Sequence, residues 1–253
     1  MTERNSQVAG RRILVTGAAT GIGAAAVRAL TDADALVVAT YHRSEPLKDV
    51  PAQWEQCDVR DAEAVDHVVA TAARMLGGLD VVIHAAGRWQ PGIPGTITGN
   101  DIDDQLDTNL KSTIFVNQAA HAAMREMGGQ IINFGSAEAA MGSPLSAVYA
   151  AAKGAVQAWT RSAARAWAHD RVTVNAIAPA VQTPGADRLR GFLGPDAAPL
   201  IDKQLQTSIP LGGKLGDPAA DLTPVLLFLS SPAARFITGQ LIAVDGGLMM
   251  VGA

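Results

Sequence analysis

Cysteine is almost absent from this sequence, which has one, Cys57, among 253 residues. A single cysteine cannot form an intrachain disulfide or a multi-cysteine metal site, and its scarcity is typical of a reducing compartment. Lysine and arginine form no cluster larger than pairs such as Arg11 and Arg12, and the net charge is -4. This balance argues against a nucleic-acid binder and against a protein that binds anionic membranes.

Long apolar runs are also missing. No segment approaches the roughly 20 apolar residues of a membrane span, and residues 1–12 are polar, without an apolar signal core. We therefore expect a soluble cytoplasmic protein that acts on a small molecule. With 48% hydrophobic residues and no linker, repeat or composition break, the chain is expected to form one domain over residues 1–253.

Six short β-branched or apolar runs recur along the chain, each followed by a helix-like segment rich in alanine. They occupy residues 13–15, 36–38, 81–83, 131–134, 172–174 and 241–244. Strands that are apolar throughout are those covered by helices on both faces. The pattern predicts an α/β fold with a doubly wound parallel sheet of the Rossmann type. Residues 179–216, rich in proline and glycine, are predicted to form a substrate loop or lid.

A glycine-rich loop at residues 16–23 follows the first predicted strand and leads into a helix-like segment. Glycines let the backbone turn sharply and approach a pyrophosphate, while the helix N-terminus offers free N–H groups. The loop therefore predicts dinucleotide binding, with an ordinary tight turn as the alternative. The residues predicted to contact the cofactor here are Gly17, Thr20, Gly21, Ile22 and Gly23.

Tyr149 and Lys153 lie four residues apart in residues 146–168, an alanine-rich stretch that we expect to be helical. One helical turn brings the phenol and the ammonium to the same face. Lowering a phenol pKa from about 10 to about 7 requires roughly 4 kcal/mol, and a lysine charge at ~5 Å supplies about 3 kcal/mol at an effective dielectric of ~20. The pair indicates a tyrosine that acts as acid or base, and the alternative is a surface lysine one turn from a half-buried tyrosine.

With Ser136 thirteen residues before Tyr149, the sequence resembles the short-chain dehydrogenase/reductase family over residues 11–247. Further positions match that family in its order: Asp58, Ala86, Gly87, Asn109, Asn175, Pro179, Thr238, Gly239, Asp245, Gly246 and Gly247. The resemblance implies an NAD(P)-dependent enzyme that moves a hydride between the nicotinamide and a ketone or secondary alcohol. Two other functions stay open, namely a non-catalytic cofactor-binding regulatory or scaffold protein and a nucleotide-sugar epimerase or dehydratase.

The same resemblance implies four catalytic residues. Tyr149 exchanges the proton of the substrate oxygen, and Ser136 hydrogen-bonds that oxygen. Lys153 lowers the phenol pKa and holds the nicotinamide ribose, while Asn109 holds a water that links Lys153 to solvent. A lone serine suits a helix N-cap equally well, and an asparagine inside a helix is often only an exposed polar residue or a kink.

Cofactor contacts outside the glycine loop also follow from the resemblance. Asp58, followed by Val59, meets the adenine, although Asp58 or Asp61 also suits the N-cap of the next helix. Thr183, beyond the strand that ends at Pro179, contacts the nicotinamide carboxamide. The remaining implied cofactor residues are Ala86, Gly87, Pro179, Tyr149 and Lys153.

The end of the second strand bears on the choice of cofactor. Enzymes that use NAD carry an acid about twenty residues past the glycines, whereas an arginine nearby accommodates the 2′-phosphate of NADP. Here Tyr41 occupies the acid position, and Arg43 with Ser44 is placed to meet a phosphate. We predict that NADP(H) is preferred and NAD(H) is the second choice. The alternative is that Arg43 is a solvated loop cation.

Two positions depart from the family pattern. His84 and Ala85 replace the usual asparagines after the fourth strand, so another group, such as His84 itself, must satisfy the polar atoms there. Ala180 replaces the glycine that usually follows Pro179. No second histidine or cysteine stands at metal-ligand spacing from His84, so no metal site is predicted.

The candidate substrate walls are mostly apolar. They comprise Trp89, Met141, Pro144 and parts of residues 179–210, with Glu138 as the one acid. This set favours a small or medium-sized apolar ketone or alcohol, with a β-ketoacyl thioester, a sugar, a steroid or a terpenoid as alternatives. Trp89 suits simple hydrophobic packing equally well.

The predicted helix over residues 146–168 has small or aromatic side chains on more than one side. They include Ala155, Trp159, Ala163, Ala166 and Trp167. A helix that is apolar on several sides needs burial against more than its own sheet. We therefore expect a homo-oligomer, a dimer or tetramer, in which the apolar residues 248–253 also take part.

Overall fold

The computed structural model describes residues 7–250. Its centre is a sheet of seven strands. They are β1 (Arg12–Thr16), β2 (Leu36–Tyr41), β3 (Gln53–Gln56), β4 (Val81–His84), β5 (Gly129–Phe134), β6 (Val172–Pro179) and β7 (Leu241–Val244). All neighbouring pairs are parallel, in the order β3-β2-β1-β4-β5-β6-β7.

Helices cover both faces of this sheet. They are α1 (Gly21–Asp32), α2 (Ala62–Leu76), α3 (Gly99–Leu106), α4 (Ser112–Met124), α5 (Ala137–Met141), α6 (Ala147–Trp167), α7 (Pro184–Ser208) and α8 (Thr223–Leu229). A π-helical turn, Asp107–Lys111, joins α3 to α4. Over residues 7–250, no helix is both long and apolar enough to cross a bilayer.

Alternate strand residues pack into two separate hydrophobic layers. Ile13 of β1 packs in one layer with Val27 of α1 and Leu226 of α8. Its neighbour Leu14 packs in the other layer with Val116 of α4. Successive side chains of a strand point to opposite faces, so a sheet covered on both sides needs strands that are apolar throughout. The predicted doubly wound α/β fold is confirmed.

One strand, β3, was not among the six predicted runs. It consists of Gln53, Trp54, Glu55 and Gln56, and it forms one edge of the sheet. Its residues are half-buried or exposed. An edge strand keeps much of its surface in water, so it carries no continuous apolar signal.

The order of the strands reverses between β1 and β4, because β1 pairs with β2 on one side and with β4 on the other. Ligands of open parallel sheets bind at the carboxyl ends of the strands at such a point. The loops after β1 and β4 meet closely here. Gly17 has φ +63°, and a Cβ built on it would lie 2.6 Å from the Cα of Ala86.

Residues 179–216 are mainly helical rather than an irregular loop. The long helix α7 is kinked at Gly194, which has φ 75° and ψ 176°, and Pro195 starts the second half. None of its residues is fully buried. Two hydrogen bonds close the base of the excursion, from Gln182 N to Gly216 O and from Gly216 N to Ala180 O, both at 2.9 Å.

Helix α6 follows Ser146 and ends at Trp167, close to the predicted bounds. Part of its apolar surface is already covered within the chain. Ala163 is buried, the Trp159 indole donates to Asn117 Oδ1 at 3.0 Å, and Trp167 stacks on His121 with a centroid separation of 4.4 Å. These residues therefore do not require a partner subunit, and the homo-oligomer stays a prediction. Of the predicted C-terminal contact segment, residues 251–253 lie outside the described residues.

Candidate active site

A cleft of about 520 Å³ lies where the loops after β1 and β4 meet. Most of the predicted site residues line it. They are Gly17, Thr20, Gly21, Ile22, Arg43, Ser44, Asp58, Val59, Ala86, Gly87, Ser136, Tyr149, Lys153, Pro179 and Thr183. Three predicted residues, Gly23, Tyr41 and Asn109, do not line it.

The N-terminus of α1 faces the cleft with free backbone donors. Thr20 makes no side-chain cap, and the first turn holds no acidic residue. The first bond of the helix runs from Ala24 N to Thr20 O at 3.2 Å. Within the described residues, the amides of Gly21, Ile22 and Gly23 have no acceptor. Free amides at the positive end of a helix dipole fit the pyrophosphate of a dinucleotide.

Gly23 acts behind this surface. A Cβ on Gly23 would lie 2.3 Å from the carbonyl oxygen of Gly17. Its side chain of one hydrogen therefore lets α1 pack directly on the loop. Gly23 does not line the cleft and has a packing role, and its predicted contact with the cofactor through the backbone stays a prediction.

At the end of β2, His42 rather than Tyr41 lines the cleft. Tyr41 is still a strand residue, paired with Gln56, whereas His42 lies just beyond the strand. Arg43 and Ser44 line the cleft with exposed side chains. No ion pair of Arg43 occurs among residues 7–250.

Asp58 and Asp61, both candidates for the N-cap of α2, have separate roles. Asp61 caps α2 by accepting from Glu63 N at 2.9 Å. Asp58 faces the cleft, where it accepts from Arg60 Nε at 2.9 Å and Arg60 Nη2 at 2.6 Å. This hydrogen-bonded guanidinium is the main cause that lowers the pKa of Asp58 to about 2. Arg60 also lines the cleft and was not predicted.

Lys153 lies deep in the cleft. Its side chain is buried, and Nζ donates to the carbonyl oxygen of Phe134 at 2.8 Å. Burial lowers the pKa of Lys153 to about 8. Nζ lies 5.8 Å from the centroid of the Tyr149 ring, so helix α6 brings the two predicted partners together.

Ser136 combines two alternatives that the sequence left open. Its Oγ accepts from Glu138 N at 3.2 Å and caps α5. Its interaction with the Tyr149 hydroxyl also lowers the pKa of that phenol. The serine is therefore both an N-cap and a neighbour of the phenol.

Contrary to the prediction, the pKa of Tyr149 is raised. Burial is the main cause, followed by the negative charge of Glu138, and the interaction with Ser136 opposes both. The Lys153 ammonium lies over the ring and bonds to the Phe134 carbonyl. Burial disfavours the charged phenolate more than the nearby groups stabilise it. Tyr149 therefore stays protonated at neutral pH.

Asn109 lies within the π-helical turn and is fully buried. Its Oδ1 accepts from Arg88 N at 3.0 Å, and its Nδ2 donates to Arg88 O at 3.0 Å. A Cβ on Gly87 would lie 3.0 Å from Asn109 Oδ1 and 3.5 Å from Lys153 Nζ. Asn109 therefore fixes the loop that separates it from Lys153, and its role toward a water stays a prediction.

Thr183 caps α7, because its Oγ1 accepts from Ala186 N at 3.4 Å. It faces the cleft together with Pro179 and Pro184. A Cβ on Gly21 would lie 3.2 Å from Pro184 Cδ, so the start of α7 closes against the glycine loop. This position agrees with the predicted cofactor contact, which stays a prediction.

The predicted substrate wall forms in part. Trp89 is 8% exposed and lines the cleft, and its indole donates to Glu138 Oε1 at 3.2 Å. Glu138 also accepts from the Ser146 hydroxyl. Glu138, Met141 and Pro144 are not part of the cleft lining. Two arginines that the sequence analysis did not single out, Arg88 and Arg188, line it instead.

Comparisons with known proteins agree with this geometry. A family model described as enoyl-(acyl carrier protein) reductase matches residues 17–249. The short-chain reductase protein NovJ of Streptomyces niveus is 35% identical over 246 residues, which are 92% of this chain and 92% of that protein. The 3-oxoacyl-(acyl-carrier-protein) reductase FabG of Staphylococcus aureus is 32% identical over 252 residues, 94% of this chain and 97% of that protein.

Solved structures show the same relationship. A protein of Sinorhizobium meliloti 1021 assigned as a short-chain alcohol dehydrogenase is 35% identical, with a TM-score of 0.87 over 95% of this chain and 96% of that chain. Aldohexose dehydrogenase of Thermoplasma acidophilum, at 24% identity, shares the fold with a TM-score of 0.86, over 96% of this chain and 95% of that chain. This chain belongs to the short-chain dehydrogenase/reductase family and is an NAD(P)-dependent oxidoreductase of CH–OH and C=O groups.

Proposed function

We propose that the protein is an NADP(H)-dependent reductase of ketones in which Tyr149 is the general acid. The observation that carries this proposal is that Ser136, Tyr149 and Lys153 line the same cleft as the free amides of α1. A proton donor and a phosphate-binding helix terminus in one cleft are what a carbonyl reduction requires. In the reverse direction, Tyr149 takes the proton from a secondary alcohol.

When bound, the reduced nicotinamide supplies the hydride that adds to the carbonyl carbon. Tyr149 gives its hydroxyl proton to the carbonyl oxygen, so the products are a secondary alcohol, the oxidised cofactor and a phenolate. The Ser136 hydroxyl hydrogen-bonds the same oxygen and stabilises the charge that develops on it. The phenolate regains a proton from solvent, which completes the balance of one ketone, one hydride and one proton.

The raised pKa of Tyr149 favours the reductive direction, because the residue must begin the cycle protonated. Lys153, with a pKa of about 8, carries a positive charge at neutral pH. That charge stabilises the phenolate as the proton leaves Tyr149. In this proposal Lys153 also binds the ribose hydroxyls of the nicotinamide.

The preference for NADP(H) is supported by Arg43. It lines the cleft at the end of β2 with no ion pair in the described structure. A free guanidinium beside Ser44 is suited to the 2′-phosphate. For the substrate, similarity to a 3-oxoacyl reductase favours a 3-oxo compound. The lid role of residues 179–216, the homo-oligomer and the cytoplasmic location stay predictions.

The test is a comparison of wild type with Tyr149→Phe on a panel of 3-oxo compounds, followed through the nicotinamide absorbance. We expect the variant to lose about 100- to 10,000-fold in kcat. The affinity for NADPH, measured by its fluorescence, should change by no more than about twofold, since the cofactor phosphates bind elsewhere. Turnover that survives in Tyr149→Phe contradicts the mechanism. A wild type that binds NADPH but turns over no carbonyl compound favours the regulatory or scaffold function.

A further inference from the structure

Two arginines, Arg88 and Arg188, line the cleft together with Ser136 and Tyr149. The sequence predicted a mostly apolar wall at this place. Neither arginine forms an ion pair with any described residue. Guanidinium groups that converge on a concave site without a carboxylate partner are typical of anion recognition.

Arg188 is held in position by the substrate wall. Its Nε donates to the carbonyl oxygen of Trp89 at 3.1 Å. Trp89 is itself anchored, because its indole donates to Glu138. No described residue accepts a hydrogen bond from the terminal nitrogens of Arg188. A guanidinium fixed through Nε keeps two parallel donors for a bidentate contact with a carboxylate or phosphate.

Arg88 is fixed through its backbone. Asn109 binds both its N–H and its carbonyl oxygen, while its side chain is exposed at the cleft. The two arginines lie close enough to repel each other. The pKa of Arg188 is lowered mainly by its burial and, as the second cause, by the charge of Arg88. An anion between the two guanidinium groups would relieve that repulsion.

The carboxylates near Trp89 and Arg188 indicate on which side such an anion would bind. Glu138 lies behind Trp89, where its oxygens accept from Trp89 and Ser146. Asp187 precedes Arg188 but accepts from Gln182 Nε2 at 2.6 Å. A substrate anion is repelled on the Glu138 side and attracted on the arginine side. Arg188 and Tyr149 line the same cleft, and the charge of Arg188 opposes the rise in the pKa of Tyr149.

We propose that the cleft takes carbonyl substrates that carry an anionic group, a carboxylate or a phosphate, which Arg188 binds with the help of Arg88. The proposal rests on the proposed function, because it names the substrate class of that same site. Because Arg188 and Tyr149 line the same cleft, one small molecule can place its anionic group at the guanidinium and its carbonyl group at the phenol. Short 3-oxo acids are the simplest compounds of this kind.

The experiment measures binding without turnover. Calorimetry compares 3-hydroxybutanoate with its methyl ester, and glycerol 3-phosphate with glycerol, on the enzyme saturated with NADPH. These ligands are already reduced, so no reaction occurs. Wild type is expected to bind the acid, the phosphate or both about 10- to 100-fold more tightly than the neutral partner. The pair that shows the preference identifies the anion as carboxylate or phosphate.

The matched control lies two residues further along α7. Arg190 is held by Asp202 Oδ1 at 2.7 Å and by Gln182 Oε1 at 3.1 Å, and it does not line the cleft. Arg188→Gln should abolish the preference for the anion, and Arg190→Gln should retain it. NADPH affinity should be the same in both variants.

Three results overturn the proposal: equal affinity for charged and neutral ligands in wild type, a preference that survives in Arg188→Gln, or a loss of NADPH affinity in Arg188→Gln as large as the loss of anion affinity. The last result would assign Arg188 to the cofactor phosphates. Failure of the proposed function is distinguishable, because it would leave the anion preference intact while no carbonyl compound is turned over.

Discussion

His84 Nδ1 lies 2.8 Å from the hydroxyl of Thr16, on neighbouring strands of the buried sheet. The Thr16 hydroxyl also accepts from Ala86 N at 3.3 Å. On the other side, Nε2 lies 3.2 Å from the Ser112 hydroxyl, which donates its proton to Thr108 O at 2.7 Å. Nε2 must therefore donate to Ser112, and because burial keeps the imidazole neutral, Nδ1 accepts from Thr16. His84 thus supplies the links expected of the replaced asparagines.

Acid should destabilise the fold through this histidine. The pKa of His84 is lowered from 6.5 to about 3. The main cause is burial, and the second cause is the charge of Lys153. Because the folded pKa is depressed, the stabilisation is complete above the unfolded pKa and falls as the pH drops below about 6.5. Between pH 7 and pH 5 this one group should cost about 2 kcal/mol of the free energy of unfolding.

The measurement is urea unfolding at both pH values, for wild type and for His84→Asn. Asparagine can still accept from Thr16 through its Oδ1 but does not titrate. The other titrating groups cancel in the difference between the two proteins. An equal loss of stability in both would show that His84 does not carry the effect.

Glu138→Gln should shift the pH dependence of alcohol oxidation downward. Glu138 raises the pKa of Tyr149 through its charge, and oxidation needs the phenolate as base. Glutamine can still accept the indole hydrogen bond of Trp89. The pH below which kcat for alcohol oxidation falls should therefore decrease, while the affinity for NADP⁺ stays constant. The control is Glu63→Gln in the first turn of α2, which should leave the profile in place, and an unshifted Glu138→Gln profile would contradict the coupling.

Arg43→Ala should lower kcat/KM with NADPH by about 10- to 100-fold and leave the value with NADH unchanged. The reason is that the side chain has no ion-pair partner in the described chain and lines the cleft at the end of β2. Lys48→Ala, which removes a cation that is 89% exposed and outside the cleft, is the control. No loss would assign Arg43 to solvent, and equal losses with both cofactors would assign it to a part that the two cofactors share.

The sequence predicted those parts of the fold that rest on short-range patterns. The six apolar strands and α6 follow from periodicity, because both faces of the sheet are buried. The glycine loop follows from its position between a strand and a helix. The edge strand β3 has no such pattern, and α7 contains Gly194, Pro195 and Pro199, residues that usually end a helix.

The candidate site was predicted where spacing along one element sets the geometry, as for Tyr149 and Lys153. It was not predicted where distant segments determine the environment. The raised pKa of Tyr149 comes from burial and from Glu138 on another helix. Arg188 reaches the cleft because Trp89, 99 positions earlier, accepts its hydrogen bond. Neither relation leaves a local signal in the sequence.

A buried pair of amides joins β5, which leads to Ser136, to the helices around it. Asn117 Nδ2 donates to Asn133 Oδ1 at 2.8 Å, and Asn133 Nδ2 donates to Asn117 Oδ1 at 2.9 Å. Both side chains are fully buried. Asn133 also donates to the Thr160 hydroxyl at 3.1 Å, so β5, α4 and α6 share one polar network.

Removing both amides should cost less than the sum of removing each one alone. Asn133→Leu leaves the Asn117 amide buried without its partner, and we expect a loss of about 2–4 kcal/mol in the free energy of unfolding. Asn117→Leu should cost a similar amount. It leaves the Asn133 amide without its partner and the Trp159 indole without an acceptor. In the double variant no amide of the pair is left unsatisfied, so the loss should be smaller than the sum by about 1–3 kcal/mol. Urea unfolding of the four proteins in this cycle measures the difference, and additive losses would show that the two amides do not act as a pair.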